Sequence, residues 1–286
     1  MVLMKNMSAA LRLASDIKSR LQHPASIPVV YFTDRPNVGD LLNEYLIPKI
    51  SGRNIVKVRS SMQPHLRAVG SVVGSASSFS QIWGSGSIDG KGPKRYLRKE
   101  NIHALRGHHT LNVVSKNIDG NLNGLPLGDP ALLMPLFFNP ASNLQEGIGI
   151  VPHFSDEEQV RDYLEDTGTT GVKLISVQQG PEDFISQMCA CKYIFSSSLH
   201  GLILADSYGI PNKWVSFSNK LLGGKFKFRD YYSTTMSPDE TVTSVIGPQD
   251  LNKLLVHPDK YCAIKSFIGH QEELLSSFPV CYKKDY

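Results

Sequence analysis

The sequence predicts an α/β protein, and three features of its 286 residues carry that prediction. Short apolar runs alternate with helix-like stretches along the chain. Several of those runs are apolar at every position, which suits strands covered on both faces of a parallel sheet. Turn residues mark the junctions, most densely in FFNPASNLQEG at 137–147.

Taken in order, the chain opens on MVLMKNMSAALRLASDIKSRLQ, where Leu11, Ala14, Ile17 and Leu21 recur at helical spacing. Arg12 and Lys18 interrupt it, so 1–24 reads as a leading amphipathic helix and not a secretory leader. Strands are expected at 27–32, 54–58, 67–73, 81–84 and 102–106, with a helix starting at Gly39-Asp40. The turn-rich 137–147 stretch divides an N-terminal domain, 1–140, from a C-terminal domain, 141–286. Strands follow at 147–153, 172–177, 192–197 and 213–217. Between them SDEEQVRDYLED opens with Ser155 and early acids, and PEDFISQMCA opens with proline, a good first helical residue. The last region reads as one or two helices broken near Pro258 and belonging to the second domain. Two Rossmann-like domains facing a cleft are the simplest architecture. Ligands would then sit at the C-terminal ends of the strands, where helix N-termini point.

Composition narrows the function. A 41% hydrophobic and 20% charged chain has a core and is not disordered. A net charge of +4 fits an anionic small ligand or an anionic membrane surface, and falls short of a dedicated nucleic-acid binder. No stretch approaches the roughly 18 apolar residues of a membrane span, so a cytoplasmic location is expected. Cys189, Cys191, Cys262 and Cys281 lack metal-ligand spacing; buried free thiols are expected, and no metal.

Chemistry has six candidate places, most with a plainer reading beside them. In YFTDRPNVGDLLNEYL a loop carrying Arg35, Asn37, Gly39 and Asp40 precedes a helix; it suits an anion, and equally a turn capped by Asp40. Gly84-Ser85-Gly86 after a strand is a cradle for an oxyanion or a tight turn. Arg106 at a strand end is a fork for carboxylate or phosphate, or a surface ion pair. Gly128-Asp129-Pro130 is a turn in which Asp129 can orient a hydroxyl. His153 and His200 each end a strand just before a helix. His200 falls in a first turn capped by Ser197 or Ser198, as an acid/base or as a satisfied core histidine. Finally, SNKLLGGKFKFRDYY, with Lys220, Lys225, Lys227 and Arg229 around Gly-Gly, is a mobile loop able to close over an anion, or a solvated one.

In this order, NVGDLLNEYLIPKISG, VVGSASSFSQIWGSGSI, ALRGHHT, LPLGDPALLMP, GIVPHFSD, SSSLHGLILADSYGIPNKW and KFRDYY resemble the polysaccharide pyruvyl transferase family over roughly 28–235. The set looks most similar to the branch acting on succinoglycan-like exopolysaccharides. The resemblance implies a GT-B-like fold and a reaction. Phosphoenolpyruvate gives its three-carbon unit to two hydroxyls of one sugar, forming a cyclic pyruvate ketal and inorganic phosphate, with no further cofactor.

The family's Leu-His-Gly histidine falls on His200, its strand-end arginine on Arg106, and its early loop on Asn37, Gly39 and Asp40. Gly84, Ser85, Gly86, Ser197, Ser198 and Lys227 complete the expected donor contacts; His153 and Asp129 are expected on the acceptor side. Many members carry arginine directly before Leu-His-Gly. Here that residue is Ser198, so Arg106 or a lysine of 220–229 must supply the cation. The family also implies a lipid-linked oligosaccharide acceptor at the inner face of a membrane. The leading helix could touch that surface, although packing on its own domain is the plainer expectation.

Two rival readings keep the same residues. A nucleotide-sugar glycosyltransferase shares the architecture, and a non-catalytic partner in polysaccharide assembly would need no donor. A nicotinamide oxidoreductase is opposed by the lack of Gly-x-Gly-x-x-Gly after the first strand. Nothing in the sequence sets the oligomeric state.

Overall fold

The structure, a computed structural model, describes residues 9–32, 35–60, 62–140, 145–218 and 223–284. Two five-stranded sheets, parallel throughout, form an α/β architecture. The first contains β1 (Ile27–Val29), β2 (Ile55–Lys57), β3 (His65–Arg67), β4 (Ser80–Trp83) and β5 (Ile102–Ala104) in the order β2-β1-β3-β4-β5. The second contains β6 (Ile148–Val151), β7 (Val172–Leu174), β8 (Tyr193–Ser196), β9 (Asn212–Ser216) and β10 (Thr243–Ser244) in the order β10-β9-β8-β6-β7. Numbered within each sheet, both orders are 2-1-3-4-5. The strand order therefore reverses between β1 and β3, and again between β6 and β8. Ligand crevices of open parallel sheets lie at such reversals.

All nine expected strands form. The third is shifted: β3 is His65–Arg67, and 68–73 runs on as loop into a 3₁₀ turn at Val73–Ser75. β10, with two residues, is too short to leave a sequence signal.

The helices are α1 (Ala9–Gln22), α2 (Val38–Ser51), α3 (His108–Val114), α4 (Glu157–Thr167), α5 (Pro181–Cys189), α6 (Leu199–Ser207), α7 (Phe226–Tyr232), α8 (Pro248–Val256) and α9 (Gln271–Ser276). Local chemistry sets their ends. Asn37, in extended conformation, caps α2 by accepting from the Asp40 N–H at 3.2 Å, and Gly52 closes it with φ of 68°. The N-cap of α4 is Asp156, one residue later than the expected Ser155. The basic segment 218–232 is not one loop, because 226–232 is helix α7; Lys220, within 219–222, lies outside the described residues. So do Asp34 in the first loop and 141–144 of the turn-rich stretch.

The sheets share one apolar core. Val38, Leu42 and Leu46 of α2 and Leu132 of a 3₁₀ segment pack with Val151, Leu202 and Phe228 of the second half. The chain end returns to the first sheet. Leu274, Phe278 and Tyr282 join Ile27, Val29 and Trp83, and the Trp83 indole donates to the Leu274 carbonyl at 2.9 Å. The final helix therefore packs against the first sheet, although it follows the second in sequence. Cys191 is buried, but Cys281 is exposed, against the expectation of four buried thiols. No helix among the described residues is long and apolar enough to cross a membrane.

Candidate active site

The residues that converge follow the two strand-order reversals. The loop after β1 and the first turn of α2 bring Asn37, Gly39 and Asp40, the loop after β3 brings Ser71, and the ends of β6 and β8 bring His153, Ser197, Ser198 and His200. The N–H of Val38 donates to the Val177 carbonyl at 2.7 Å and docks the start of α2 on the second half.

His200 sits in the first turn of α6. Ser198 is the N-cap, but its side chain makes no capping bond, so the first-turn amides keep no side-chain acceptor. The local hydroxyl at work is Ser196, which accepts from the Ser198 N–H at 3.0 Å and lies 3.0 and 2.9 Å from the Val151 and Ser198 carbonyls. Glycine must follow His200, because a Cβ at Gly201 would lie 2.4 Å from Ser196 Oγ. The imidazole rests on Gly39, where an added Cβ would lie 1.9 Å from Nδ1. Its Nε2 is 3.7 Å from Asp129 Oδ2, and neither atom has a hydrogen-bond partner among the described residues. The histidine side chain keeps 13% exposure, so the ring is not sealed in the core. Asp129 is held from the other side: its Oδ1 accepts from the Ala131 N–H at 3.0 Å and caps the 3₁₀ segment Pro130–Leu136.

Asp40 lies beside them. Its carboxylate accepts from the Phe32 N–H at 3.0 Å and from the Asn37 side-chain amide. Burial pushes its pKa up to about 6, against the Asn37 bond and the nearby His200. Lys227, on α7, reaches the same region. Burial and the Arg106 charge bring its pKa down to about 8, opposed by Asp40. His153 completes the group. Its N–H donates to Ser197 Oγ at 2.8 Å, and burial together with Lys227 brings its imidazole down to about 4, so it is neutral at pH 7. Its ring lies against Phe154, centroids 4.2 Å apart, and the Arg35 guanidinium stands 5.3 Å over Phe154 from the first half.

Two expected donor contacts have other duties. Arg106 is fully buried, not a free fork or a surface pair. Its guanidinium donates to Asp230 Oδ2 at 2.8 Å, Ser71 Oγ at 2.7 Å and the Ser87 carbonyl at 2.6 Å. Asp230 also accepts from the N–H and hydroxyl of Thr110. The Gly84 and Gly86 N–H groups donate to the Ala104 and Gly70 carbonyls, and the Ser85 hydroxyl to Gly70. This turn is therefore no open cradle. Its glycines make room, since a Cβ at Gly86 would lie 2.2 Å from the Arg106 Cζ.

Sequence reading missed Asp230 as the partner of Arg106, although it lies in KFRDYY. It also missed Phe154 and Ser71, which no spacing marks. A cavity of about 870 Å³, lined by Asp206, His270 and Glu273 among others, opens at the far end of α6; none of the candidate residues lines it. Among the described residues no three His, Cys, Asp or Glu side chains gather as a metal site.

The sequence model of the polysaccharide pyruvyl transferase family matches residues 80–219, which include Gly84, Arg106, Asp129, His153 and His200. The chain is also 32% identical over 222 residues to "Uncharacterized protein L143" of Acanthamoeba polyphaga mimivirus, covering 74% of this chain and 75% of that one. The ordered motifs, the matched span and that relative together establish that this chain belongs to the polysaccharide pyruvyl transferase family.

Proposed function

We propose that the protein transfers the pyruvyl unit of phosphoenolpyruvate onto two hydroxyls of one sugar in a polysaccharide precursor. The observation that carries this reading is the pair of unpartnered, facing atoms His200 Nε2 and Asp129 Oδ2 beside an uncapped helix start. A core histidine would have its nitrogen satisfied. An acid/base awaiting substrate has it open.

The chemistry needs a proton for the methylene carbon of the donor. Protonation makes the neighbouring carbon cationic, and the first hydroxyl attacks it, losing its proton to a base. Phosphate then leaves with the C–O electron pair. The second hydroxyl attacks the same carbon, loses its proton and closes the ketal. His200 is the acid/base, and Asp129 orients it and the attacking hydroxyl. Lys227 and the first-turn amides of α6, with Ser197 and Ser198, receive the donor's carboxylate and phosphate. Lys227 thereby takes the place of the arginine missing at Ser198. Arg106 acts as a buried charge and support behind it, and Asn37, Gly39 and Asp40 form the facing wall. His153 lies toward the acceptor.

We read the architecture as GT-B-like: two Rossmann-like domains divided near residue 140, with the chain end completing the first. The donor is the only cofactor-like molecule required. A lipid-linked oligosaccharide of the succinoglycan type, at the cytoplasmic face of a membrane, is the acceptor class proposed. The test is incubation of the purified chain with phosphoenolpyruvate and such a glycan, reading phosphate release and, by mass spectrometry, an added ketal. Turnover with a UDP- or GDP-sugar in place of phosphoenolpyruvate would overturn the reading in favour of glycosyl transfer. Absence of donor binding by calorimetry would favour a non-catalytic assembly role.

A further inference from the structure

Helix α1 faces the wrong way for a core helix. Its apolar stripe is outside: Leu11 is 58%, Ile17 40% and Leu21 76% exposed. Its inner face is fixed by a carboxylate instead. Asp16 is buried and accepts from the N–H groups of Arg59 and Ser60 at the end of edge strand β2. An amphipathic helix that leaves its aliphatic side in water while burying an aspartate has been placed to present that side.

A basic pocket lies at the C-terminal end of the same helix. Arg53, Lys283 and Lys284, with Ala25 and Ser26, line a cavity of about 510 Å³. The Arg53 guanidinium donates to the Ala25 carbonyl just past the end of α1 at 2.9 Å, which fixes the pocket to that end of the helix. Lys18, exposed, flanks the stripe.

From these two features we infer that the α1 face docks on a bilayer containing anionic lipids. The aliphatic side chains would enter the headgroup boundary, and Lys18, Arg53, Lys283 and Lys284 would meet the phosphates. A helix with an aliphatic face and flanking cations is built for that plane. A second copy of the chain fits less well. Three side chains of one helix fall far short of the roughly 800 Å² per partner of a stable interface. A two-fold contact would also set like cations against each other.

The inference does not rest on the pyruvyl-transfer reading, and the test separates them. Full-length protein is sedimented with vesicles of phosphatidylcholine alone or mixed with phosphatidylglycerol. Binding is expected to the mixed vesicles only, and to weaken as salt is raised. Ile17→Glu/Leu21→Glu and, separately, Lys283→Glu/Lys284→Glu should each reduce it about tenfold or more. Ile17→Gln/Leu21→Gln, a milder pair, guards against loss of the helix, and circular dichroism checks the fold. Phosphate release with a soluble acceptor should be unchanged in all three. No binding to mixed vesicles overturns the inference. So does binding that the folded variants leave intact, or self-association that the stripe variants abolish without any vesicle binding.

Discussion

The imidazole Nε2 of His200 and the carboxylate Oδ2 of Asp129 face each other across 3.7 Å, each buried and without a hydrogen-bond partner among the described residues. The gap is too long for a direct bond. One oxygen about 2.8 Å from each atom would bond to both, and under the proposed function that oxygen is the attacking hydroxyl. Asp129→Asn isolates this role. It keeps an oxygen to cap Ala131 but removes the charge facing His200. Turnover should fall by about 10–100-fold with the melting temperature nearly kept. His200→Ala should cost about 10²–10⁴-fold in turnover. Wild-type rates in either purified variant would remove the pair from the chemistry.

Lys227 predicts a trade of stability for function. Its pKa falls from 10.5 to about 8, first through burial, so the folded state disfavours its charge. Below pH 8 that penalty is complete; it fades as pH rises from about 8 towards 10.5, where the unfolded chain also loses the proton. Lys227→Met should therefore be more stable than wild type at pH 7, by about 1–2 kcal/mol. The advantage should shrink above pH 8 in urea titrations. Donor binding should weaken at the same time. In the wild type, kcat/KM for phosphoenolpyruvate should decline as pH passes about 8. A Lys227→Met variant that is destabilised at pH 7, with donor KM unchanged, would refute both halves.

Arg106 is a support beneath the site. Among the described residues, Arg106→Ala leaves buried Asp230 with Thr110 alone as its partner, which should lower stability by about 3–5 kcal/mol. Arg106→Met/Asp230→Leu should recover much of that loss, because removing both charges removes the orphan. Urea midpoints decide the matter. An Arg106→Ala variant of wild-type stability whose donor KM alone rises would make Arg106 a direct clamp instead.

Strands and the main helices were legible because local signals fix them. Ile27, Val29, Ile150 and Phe195 are buried and sit in apolar runs, and Pro181 opens α5 as expected, whereas α2 is capped by Asn37 and not by Asp40. The place of His200 was legible because the strand before it and the helix it enters both leave local signals. Partners were not. The contact of Arg106 with Asp230 spans 124 positions, and nothing in the local pattern reports whether a strand-end arginine faces solvent or an aspartate. The glycines at 84 and 86 show the same limit. Composition says that the backbone is bare there, and only the fold says that an arginine occupies the space. Helix α1 misled in another way: its periodicity predicted a helix correctly, but one buried carboxylate, Asp16, turned the apolar face outward.

Gly39 gives the sharpest test of how the two halves form one site. It is helical, without a positive φ, so alanine there has no backbone strain and a better helix propensity. The added methyl would nonetheless lie 1.9 Å from His200 Nδ1. Either the imidazole leaves Asp129, or α2 lifts from the second half and loses the bond from Val38 to Val177. Gly39→Ala should therefore reduce turnover about 10²-fold and lower stability by about 1–3 kcal/mol. In a His200→Ala background the ring is gone. There the same substitution should be neutral, or stabilising by up to about 1 kcal/mol. The double-mutant cycle should thus show a coupling of a few kcal/mol between residues on helices α2 and α6. Additive stability changes, or a Gly39→Ala variant as active as wild type, would mean that the ring does not rest on Gly39.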